Sequence, residues 1–279
     1  MNASIEEIAT RIINSGAVEV RDVDSGQEPF VYSTGNRGPG YIMIKGLVGQ
    51  PELLKFLTRQ LASEVVREAE FDFIEGNATG GMVPGWQLRN DVSAILGEEI
   101  PYCYLRESRK TGGQGELITG DGKNPFIKKG MSALIVEELV NYAGTTTNAA
   151  DIFRSAGYPV THGACILSYD HAESNQRLKE ANVILVPLIR LPQLLDAGES
   201  TKLIPSNAVN SYRVFLQDQI KWQLDRGLVV PADTAKTAQT KGYHMRELSA
   251  EEAINLGAPK GKVLTKENQK GFVYWAQEK

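Results

Sequence analysis

The sequence predicts an α/β fold in which a mainly parallel sheet is flanked by helices. The first reason is a regular alternation between apolar runs of strand length and amphipathic stretches of helical period. The second is composition, since 42% of the 279 residues are hydrophobic and 23% are charged, as in ordinary globular proteins. Strands that alternate with helices are usually joined by parallel crossovers. We therefore expect ligands to bind beyond the carboxyl ends of the strands.

Each element follows from its own pattern. Leu53, Leu57 and Leu61 recur every fourth residue and predict a helix over 51–69. Short apolar runs predict strands, and the amphipathic stretches between several of them predict helices. The predicted strands are 71–74, 102–105, 133–136, 164–169 and 183–189, and the further helices are 86–96, 147–156 and 173–181.

The C-terminal part of the chain has a different character. A long helix is predicted over 206–225, with Ser206 as its cap and Gly227 as its stop. Beyond it the chain is rich in Lys, Thr and Glu, with one helix candidate at 249–256 and an aromatic strand at 272–275. These features predict a main domain of residues 1–227 and a small C-terminal appendage, 228–279, of unassigned role.

Charge and cysteine content limit the partners and the location. Lys and Arg total 30 against 34 Asp and Glu, so no global basic field would attract nucleic acid or an anionic membrane. Cys103 and Cys165 lie in apolar runs and are interpreted as buried thiols in a reducing compartment. The sequence shows neither a signal segment nor an apolar run of about 20 residues. We therefore expect a cytoplasmic protein.

The three histidines are interpreted as structural. His162 lies in a predicted strand and His244 in the C-terminal appendage, whereas His171 follows a strand end on the expected active-site side. No Cys/His pair has the spacing of zinc ligands, so a zinc site is not expected.

The most informative segment is 133–148, ALIVEELVNYAGTTTN. An apolar strand ends in Glu137 and Glu138, and small residues and three threonines then lead into a helix. Backbone N–H groups, threonine hydroxyls and a helix N-terminus together favour a phosphate, while the two carboxylates suit ribose hydroxyls or a magnesium ion. The alternative is an ordinary capped helix with solvated acids. The candidate phosphate cradle consists of Ala143, Gly144, Thr145, Thr146 and Thr147.

Two common nucleotide-binding patterns are missing from the sequence. It contains no Gly-Lys-Ser/Thr, and no GxGxxG follows a predicted strand. Binding of nucleoside triphosphates or dinucleotides therefore lacks its usual support.

The segment 133–148 resembles the signature of the type I phosphoribosyltransferase family. In that family a strand, two acidic residues, two apolar positions and a small, hydroxyl-rich loop precede a helix, and the loop holds the 5-phosphate of phosphoribosyl pyrophosphate (PRPP). Further segments resemble the orotate phosphoribosyltransferase branch in the same order. Segment 34–50, TGNRGPGYIMIKGLVGQ, is similar to the part that lies over the base.

A glycine-rich loop follows the first core strand, in EGNATGGMVP (75–84). It is similar to the branch's loop that accommodates pyrophosphate, and its glycines would open N–H groups towards an anion. A plain strand-to-helix turn is the alternative. The residues assigned to this loop are Ala78, Thr79, Gly80 and Gly81.

The segment 106–120, RESRKTGGQGELITG, is similar to the branch's mobile catalytic loop. Arg106, Arg109 and Lys110 among glycines describe a flexible clamp for an anion, although a solvated hairpin loop would look the same.

The resemblance covers roughly residues 5–226 and implies a magnesium-dependent orotate phosphoribosyltransferase that acts as a homodimer. It implies that 1–227 is the phosphoribosyltransferase domain and 1–50 its N-terminal hood. Glu137 and Glu138 would hold the ribose hydroxyls and, through ribose or water, Mg²⁺. Lys45 or the backbone near Tyr41 would meet the base.

The chain also departs from the family pattern. Ser108 stands where a Lys is usual and Gly112 where a His is usual, while Tyr142 opens a stretch that is often Thr-Gly-Gly in the family. Arg109 could replace the missing charge. Two alternatives stay open: a phosphoribosyltransferase for another base, and a regulatory protein that binds PRPP without turnover.

Overall fold

The computed structural model describes residues 3–32, 36–106, 117–120, 124–228, 244–247, 263–267 and 273–277. The chain forms two compact units. The first comprises Met1–Val18 and Met43–Leu203, and the second comprises Glu19–Ile42 and Ile204–Lys279.

The helices are α1 (Ile5–Asn14), α2 (Pro51–Glu68), α3 (Met82–Leu96), α4 (Gly144–Ser155), α5 (Ala172–Glu180), α6 (Leu191–Ser200), α7 (Ser206–Gln217) and α8 (Gln219–Asp225), with 3₁₀ turns at Val23–Ser25 and Ile44–Gly49. The strands are β1 (Val18–Val20), β2 (Phe30–Val31), β3 (Arg37–Gly38), β4 (Gly40–Ile42), β5 (Phe73–Asn77), β6 (Tyr102–Leu105), β7 (Ile118–Thr119), β8 (Ala133–Val140), β9 (His162–Ser168), β10 (Ile184–Arg190), β11 (His244–Glu247), β12 (Val263–Glu267) and β13 (Val273–Gln277).

The first unit contains a six-stranded sheet in the order β10-β9-β8-β5-β6-β7. Neighbouring strands are parallel except for β7, which runs antiparallel to β6. The predicted α/β fold with a mainly parallel sheet is therefore confirmed. The direction in which successive strands are added reverses between β5 and β8, and such a switch point is where ligands bind in open α/β sheets.

The sheet is buried on both faces. On one face, Phe73 and Ile135 pack in a core cluster with Phe153 of α4, and the ring of Tyr158 lies edge-on to Phe73 at 5.4 Å between centroids. On the other face α3 lies close to β5, because a Cβ at Gly76 would approach the backbone of Gly81. The free thiols Cys103 and Cys165 are buried, as predicted.

The elements around the switch point are longer than the sequence predicts. β8 continues through both acids to Val140, because Val140 still pairs with Ser168 of β9. α3 starts at Met82 rather than at residue 86, since Pro84 lies in its first turn, where proline is tolerated. α4 starts at Gly144 rather than at residue 147, so the threonines belong to its first turn.

The second unit contains the paired strands β1 and β4, the paired strands β2 and β3, and the helices α7 and α8. The single helix predicted over 206–225 is wrong, because the backbone of Asp218 is extended and separates two helices. The side chain of Asp218 accepts a hydrogen bond from the N–H of Lys221 at 2.9 Å and so begins a new helix. Ser206 is not the cap of α7, since the carbonyl of Pro205 accepts the first helical bond. The predicted stop at Gly227 has a positive φ of 64°.

Near the C-terminus, β11, β12 and β13 form an antiparallel three-stranded sheet. The aromatic strand predicted at 272–275 is found as β13, whereas the helix candidate at 249–256 lies outside the described residues. The domain boundary at residue 227 stays a prediction. Within the described ranges, no helix has the length and apolarity needed to span a membrane.

The break between α7 and α8 can be tested by replacing its capping residue. Asp218→Ala removes an N-cap and should lower the free energy of unfolding by about 0.5–2 kcal/mol in urea denaturation followed by tryptophan fluorescence. Asp225→Ala is the matched control, because its exposed pair with Lys221 contributes at most about 1 kcal/mol. If residues 206–225 formed one continuous helix, Asp218→Ala would instead raise the free energy of unfolding, since alanine is the better residue inside a helix.

Candidate functional site

The candidate site lies at the carboxyl ends of β5 and β8, on either side of the switch point. Gly76 is paired with Val136, which brings the next residues, Asn77 and Glu137, side by side. The Asn77 Nδ2 group donates a hydrogen bond to Glu137 Oε1 at 2.7 Å. The parallel register of two central strands therefore holds the first acid in place.

The glycine-rich loop after β5 packs tightly against the end of β8. The N–H of Ala78 donates to the carbonyl of Leu105 at 3.0 Å, and the N–H of Gly81 donates to the carbonyl of Asn77 at 2.8 Å. The peptide bond between Ala78 and Thr79 is cis. A Cβ at Gly81 would overlap the carbonyl oxygen of Val136. Only glycine allows this approach of two backbones.

Gly80 has a separate role in the same loop. A Cβ there would overlap the carboxyl group of Glu138, which lies directly against its Cα. The absence of a side chain at Gly80 therefore provides the space that the second acid occupies.

The predicted cradle forms the start of α4. Ala143 adopts a left-handed backbone with φ of 56°, and its carbonyl accepts the first helical hydrogen bond, from the N–H of Thr147 at 3.0 Å. The N–H groups of Gly144, Thr145 and Thr146 precede this bond and have no partner within the helix. Three donors thus point out of the helix N-terminus, where its dipole favours an anion.

Among the described residues, three of the six buried polar side-chain atoms without partners lie around this turn. These three are Asn141 Oδ1, Thr146 Oγ1 and His171 Nε2, and the others are Arg37 Nε, Glu75 Oε2 and Arg106 Nε. Asn141 precedes the cradle, Thr146 belongs to it, and His171 follows the neighbouring strand β9. Buried polar atoms are rarely left unpaired, so their concentration at one edge of the sheet is typical of a site that a ligand completes.

The two acids point to opposite faces of β8 and have different surroundings. Glu137 is only 6% exposed, and burial raises its pKa to about 7, although hydrogen bonds from Thr145 and Asn77 oppose the rise. Glu138 is half-buried, and burial raises its pKa while the charge of Lys45 lowers it. Glu75 is fully buried next to them, so desolvation and the charge of Glu137 keep its pKa far above the usual range.

Other predicted residues are placed as follows. Lys45 lies in the 3₁₀ turn Ile44–Gly49, near enough to Glu138 to affect its pKa. Arg106 follows β6, and its N–H donates to the carbonyl of Leu117 at 3.0 Å. Tyr41 lies in β4 of the second unit, where its ring is 5.3 Å from that of Phe30. Arg109 and Lys110 lie outside the described residues.

Several residues at this edge are not singled out as site residues by the sequence. Asn77 had a usable signal, since it is a polar residue that ends a buried strand. His171, interpreted as structural, is stacked on the ring of Tyr142 at 5.1 Å between centroids. The guanidinium of Arg177, in α5, lies against Gly144. That contact between two helices leaves no signature in the sequence.

The described residues contain no group of three or more His, Cys, Asp or Glu side chains placed to hold a metal ion. The carboxylates of Glu137 and Glu138 are hard oxygen donors of the kind that Mg²⁺ accepts, and Mg²⁺ usually takes one or two carboxylates together with substrate phosphates. The acid pair fits such a substrate-assisted site and does not fit a metal cage made by protein alone.

Known proteins of similar sequence are orotate phosphoribosyltransferases. The enzyme of Listeria monocytogenes serovar 1/2a is 26% identical over 222 residues, which cover 78% of this chain and 99% of the relative. That of Streptococcus agalactiae serotype III is 26% identical over 220 residues, covering 78% and 97%. No protein-family model matches the sequence.

Solved structures show the same fold. The UMP synthase of Leishmania donovani has a TM-score of 0.61 at 23% identity, and the match covers 77% of this chain but only 42% of the synthase. The orotate phosphoribosyltransferase of Aeropyrum pernix has a TM-score of 0.51 at 23% identity, with 68% and 97% covered. The chain is thus similar in fold and sequence to type I phosphoribosyltransferases. Among these, the relatives of similar sequence are orotate phosphoribosyltransferases, so the resemblance drawn from the motifs is confirmed.

The burial of Glu137 predicts a dependence of stability on pH. The folded state keeps the proton up to pH about 7, whereas the unfolded chain releases it near the ordinary value of 4.5. The stabilisation from this proton is therefore complete below pH 4.5 and lost as pH rises through 7. In urea denaturation, the free energy of unfolding of the wild type should fall by about 1–3 kcal/mol between pH 5 and 8.5. Glu137→Gln should not show this fall.

Glu99→Gln is the control for that experiment, because its side chain is 81% exposed and the variant should keep the full loss. The charge of Glu137 raises the pKa of Glu75, so the difference between the two proteins reports the titration of this pair. Equal pH profiles for Glu137→Gln and the wild type would show that Glu137 ionises normally in the fold.

Proposed function

We propose that the protein transfers the ribose 5-phosphate group of PRPP to N1 of orotate, giving orotidine monophosphate and pyrophosphate. The observation that carries the proposal is that a glycine turn, two carboxylates and the free N-terminus of α4 meet at one switch point. Relatives named orotate phosphoribosyltransferase match over almost their full length, which supports orotate as the acceptor.

The three parts of the site match the three parts of PRPP. The N–H groups of the cradle would bind the 5-phosphate. Glu138, half-buried beside Gly80, would accept hydrogen bonds from ribose hydroxyls. Glu137 is held by Asn77 and largely buried, so it would chiefly position the cradle through Thr145. The glycine turn 78–81 would leave room for the pyrophosphate.

The reaction needs stabilisation of charge more than it needs a strong base. The bond between ribose C1 and the pyrophosphate oxygen breaks, and the leaving group takes the electron pair. Orotate N1 then forms the new bond to C1 and gives up its proton to solvent or to the departing pyrophosphate. Arg106, Arg109 and Lys110 would stabilise the negative charge that develops on the departing pyrophosphate. Mg²⁺, held by the acid pair through ribose or water, would supply further neutralisation of the pyrophosphate when bound.

The same proposal includes a cytoplasmic homodimer in which the loop 106–120 of one subunit serves its neighbour. Both properties stay predictions that follow from the family resemblance. A two-fold dimer would have an isologous interface.

The proposed reaction is tested by pyrophosphate release from PRPP with orotate, adenine or hypoxanthine, with and without Mg²⁺. We expect release with orotate that requires Mg²⁺. The double variant Arg106→Ala, Lys110→Ala should lose at least about 100-fold in kcat/KM, because each cation stabilises developing charge. The control Lys55→Ala, Arg59→Ala removes the same charge from the exposed side of α2 and should stay within about two-fold.

Three outcomes would contradict the proposal. Release with a purine base and none with orotate would indicate a phosphoribosyltransferase for another base. PRPP binding without turnover on any base would favour a regulatory protein. An equal loss in the test and control variants would remove the role of the loop cations.

A further inference from the structure

The guanidinium of Arg177 lies against the first residue of the cradle helix. A Cβ built on Gly144 would lie 2.9 Å from Arg177 Nη1, and no other atom outside its own helix and immediate neighbours would lie within 4 Å of it. Gly144 has an ordinary backbone conformation, with no positive φ. The absence of a side chain at Gly144 therefore leaves the space that the arginine fork occupies.

Most hydrogen-bond donors of Arg177 are uncommitted. Its Nη2 is 3.5 Å from Glu173 Oε1, at the limit of a hydrogen bond, and both side chains are about two-fifths exposed. A guanidinium has five N–H donors in a planar fork that matches phosphate oxygens. A long, exposed pair of this kind contributes little and leaves the fork free to bind an anion.

The surroundings of Gly144 point to an anion as the ligand. The N–H groups of Gly144, Thr145 and Thr146 have no partner within the helix. The hydroxyl of Thr146, a residue that is 1% exposed, is buried there near Glu137 and has no partner at normal hydrogen-bond geometry. Glu137, at the end of the strand that precedes the cradle, accepts a hydrogen bond from Asn77 Nδ2 at 2.7 Å. Donors thus converge on this point from α4 and α5.

We propose that Arg177 binds the 5-phosphate of PRPP and completes the cradle from outside α4. The inference rests on the proposed function and adds a residue that selects the phosphorylated end of the sugar. Arg177 is a binding residue for that phosphate, and its side chain has no part in the departure of pyrophosphate.

The experiment compares the affinity for ribose 5-phosphate with that for pyrophosphate by calorimetry. Arg177→Gln should weaken binding of ribose 5-phosphate by about 10- to 100-fold, the effect of losing a charge-assisted contact. Pyrophosphate affinity should stay within two-fold. In steady-state assays the variant should raise KM for PRPP with kcat nearly unchanged, as expected for binding shared by ground and transition states.

Two matched variants separate binding from structure. Lys179→Gln removes the same charge from an exposed position of α5 and should leave both affinities unchanged. Glu173→Gln breaks the ion pair yet leaves Arg177 in place, so it should not weaken binding of ribose 5-phosphate. If Arg177 only stabilises α5 through that pair, Glu173→Gln will match Arg177→Gln, and the proposal is wrong.

Gly144→Ala tests the same contact first in a chain that keeps Arg177. The added methyl group should displace the guanidinium and weaken ribose 5-phosphate binding in the presence of Arg177. In the Arg177→Gln background it should add nothing. If the losses of ribose 5-phosphate affinity caused by Gly144→Ala and Arg177→Gln were additive in the double variant, the proposal would be wrong. Failure of the proposed function would look different from failure of this inference. In that case the wild type would not turn over PRPP, whatever its affinity for ribose 5-phosphate is.

Discussion

The close approach of the 78–81 turn to the end of β8 is the constraint on which the site depends. Gly81 lets its backbone lie under the carbonyl of Val136, and Gly80 leaves the space that the Glu138 carboxyl fills. The approach is possible because β5 and β8 are parallel neighbours in register. It also places the 78–81 turn beside two acids at the switch point of the sheet.

The electrostatics of the site follow from the same packing. Burial raises the pKa of Glu75 well above its usual range and that of Glu137 to about 7, which reduces the negative charge that would oppose a phosphate at the cradle. Glu138 is the acid nearer to solvent, next to Lys45. The adjacent pair in the sequence is thus divided into a buried acid that shapes the cradle and an accessible one that can meet a sugar.

Periodicity predicted most of the fold, and the errors have local causes. β6 was predicted with its observed bounds, because four apolar or aromatic residues stand between polar turns. β8 was predicted four residues too short, since its acids look like the end of a strand until the pairing of Val140 is known. The break at Asp218 was missed because the apolar pattern continues on both sides of it. Arg177 and Asn77 were missed as site residues, since their contacts with Gly144 and Glu137 are tertiary.

The most direct test of this account is a double-mutant cycle between Gly80 and Glu138, read as PRPP affinity by calorimetry. Gly80→Ala should displace the Glu138 carboxyl without unfolding the protein, because the overlapping atoms end a flexible side chain. We expect Gly80→Ala and Glu138→Gln each to weaken PRPP binding by about 10-fold or more, and the double variant to be no worse than either. Gly49→Ala, where a Cβ meets open space, should bind normally. Full PRPP affinity in Gly80→Ala, or purely additive losses in the double variant, would contradict the account.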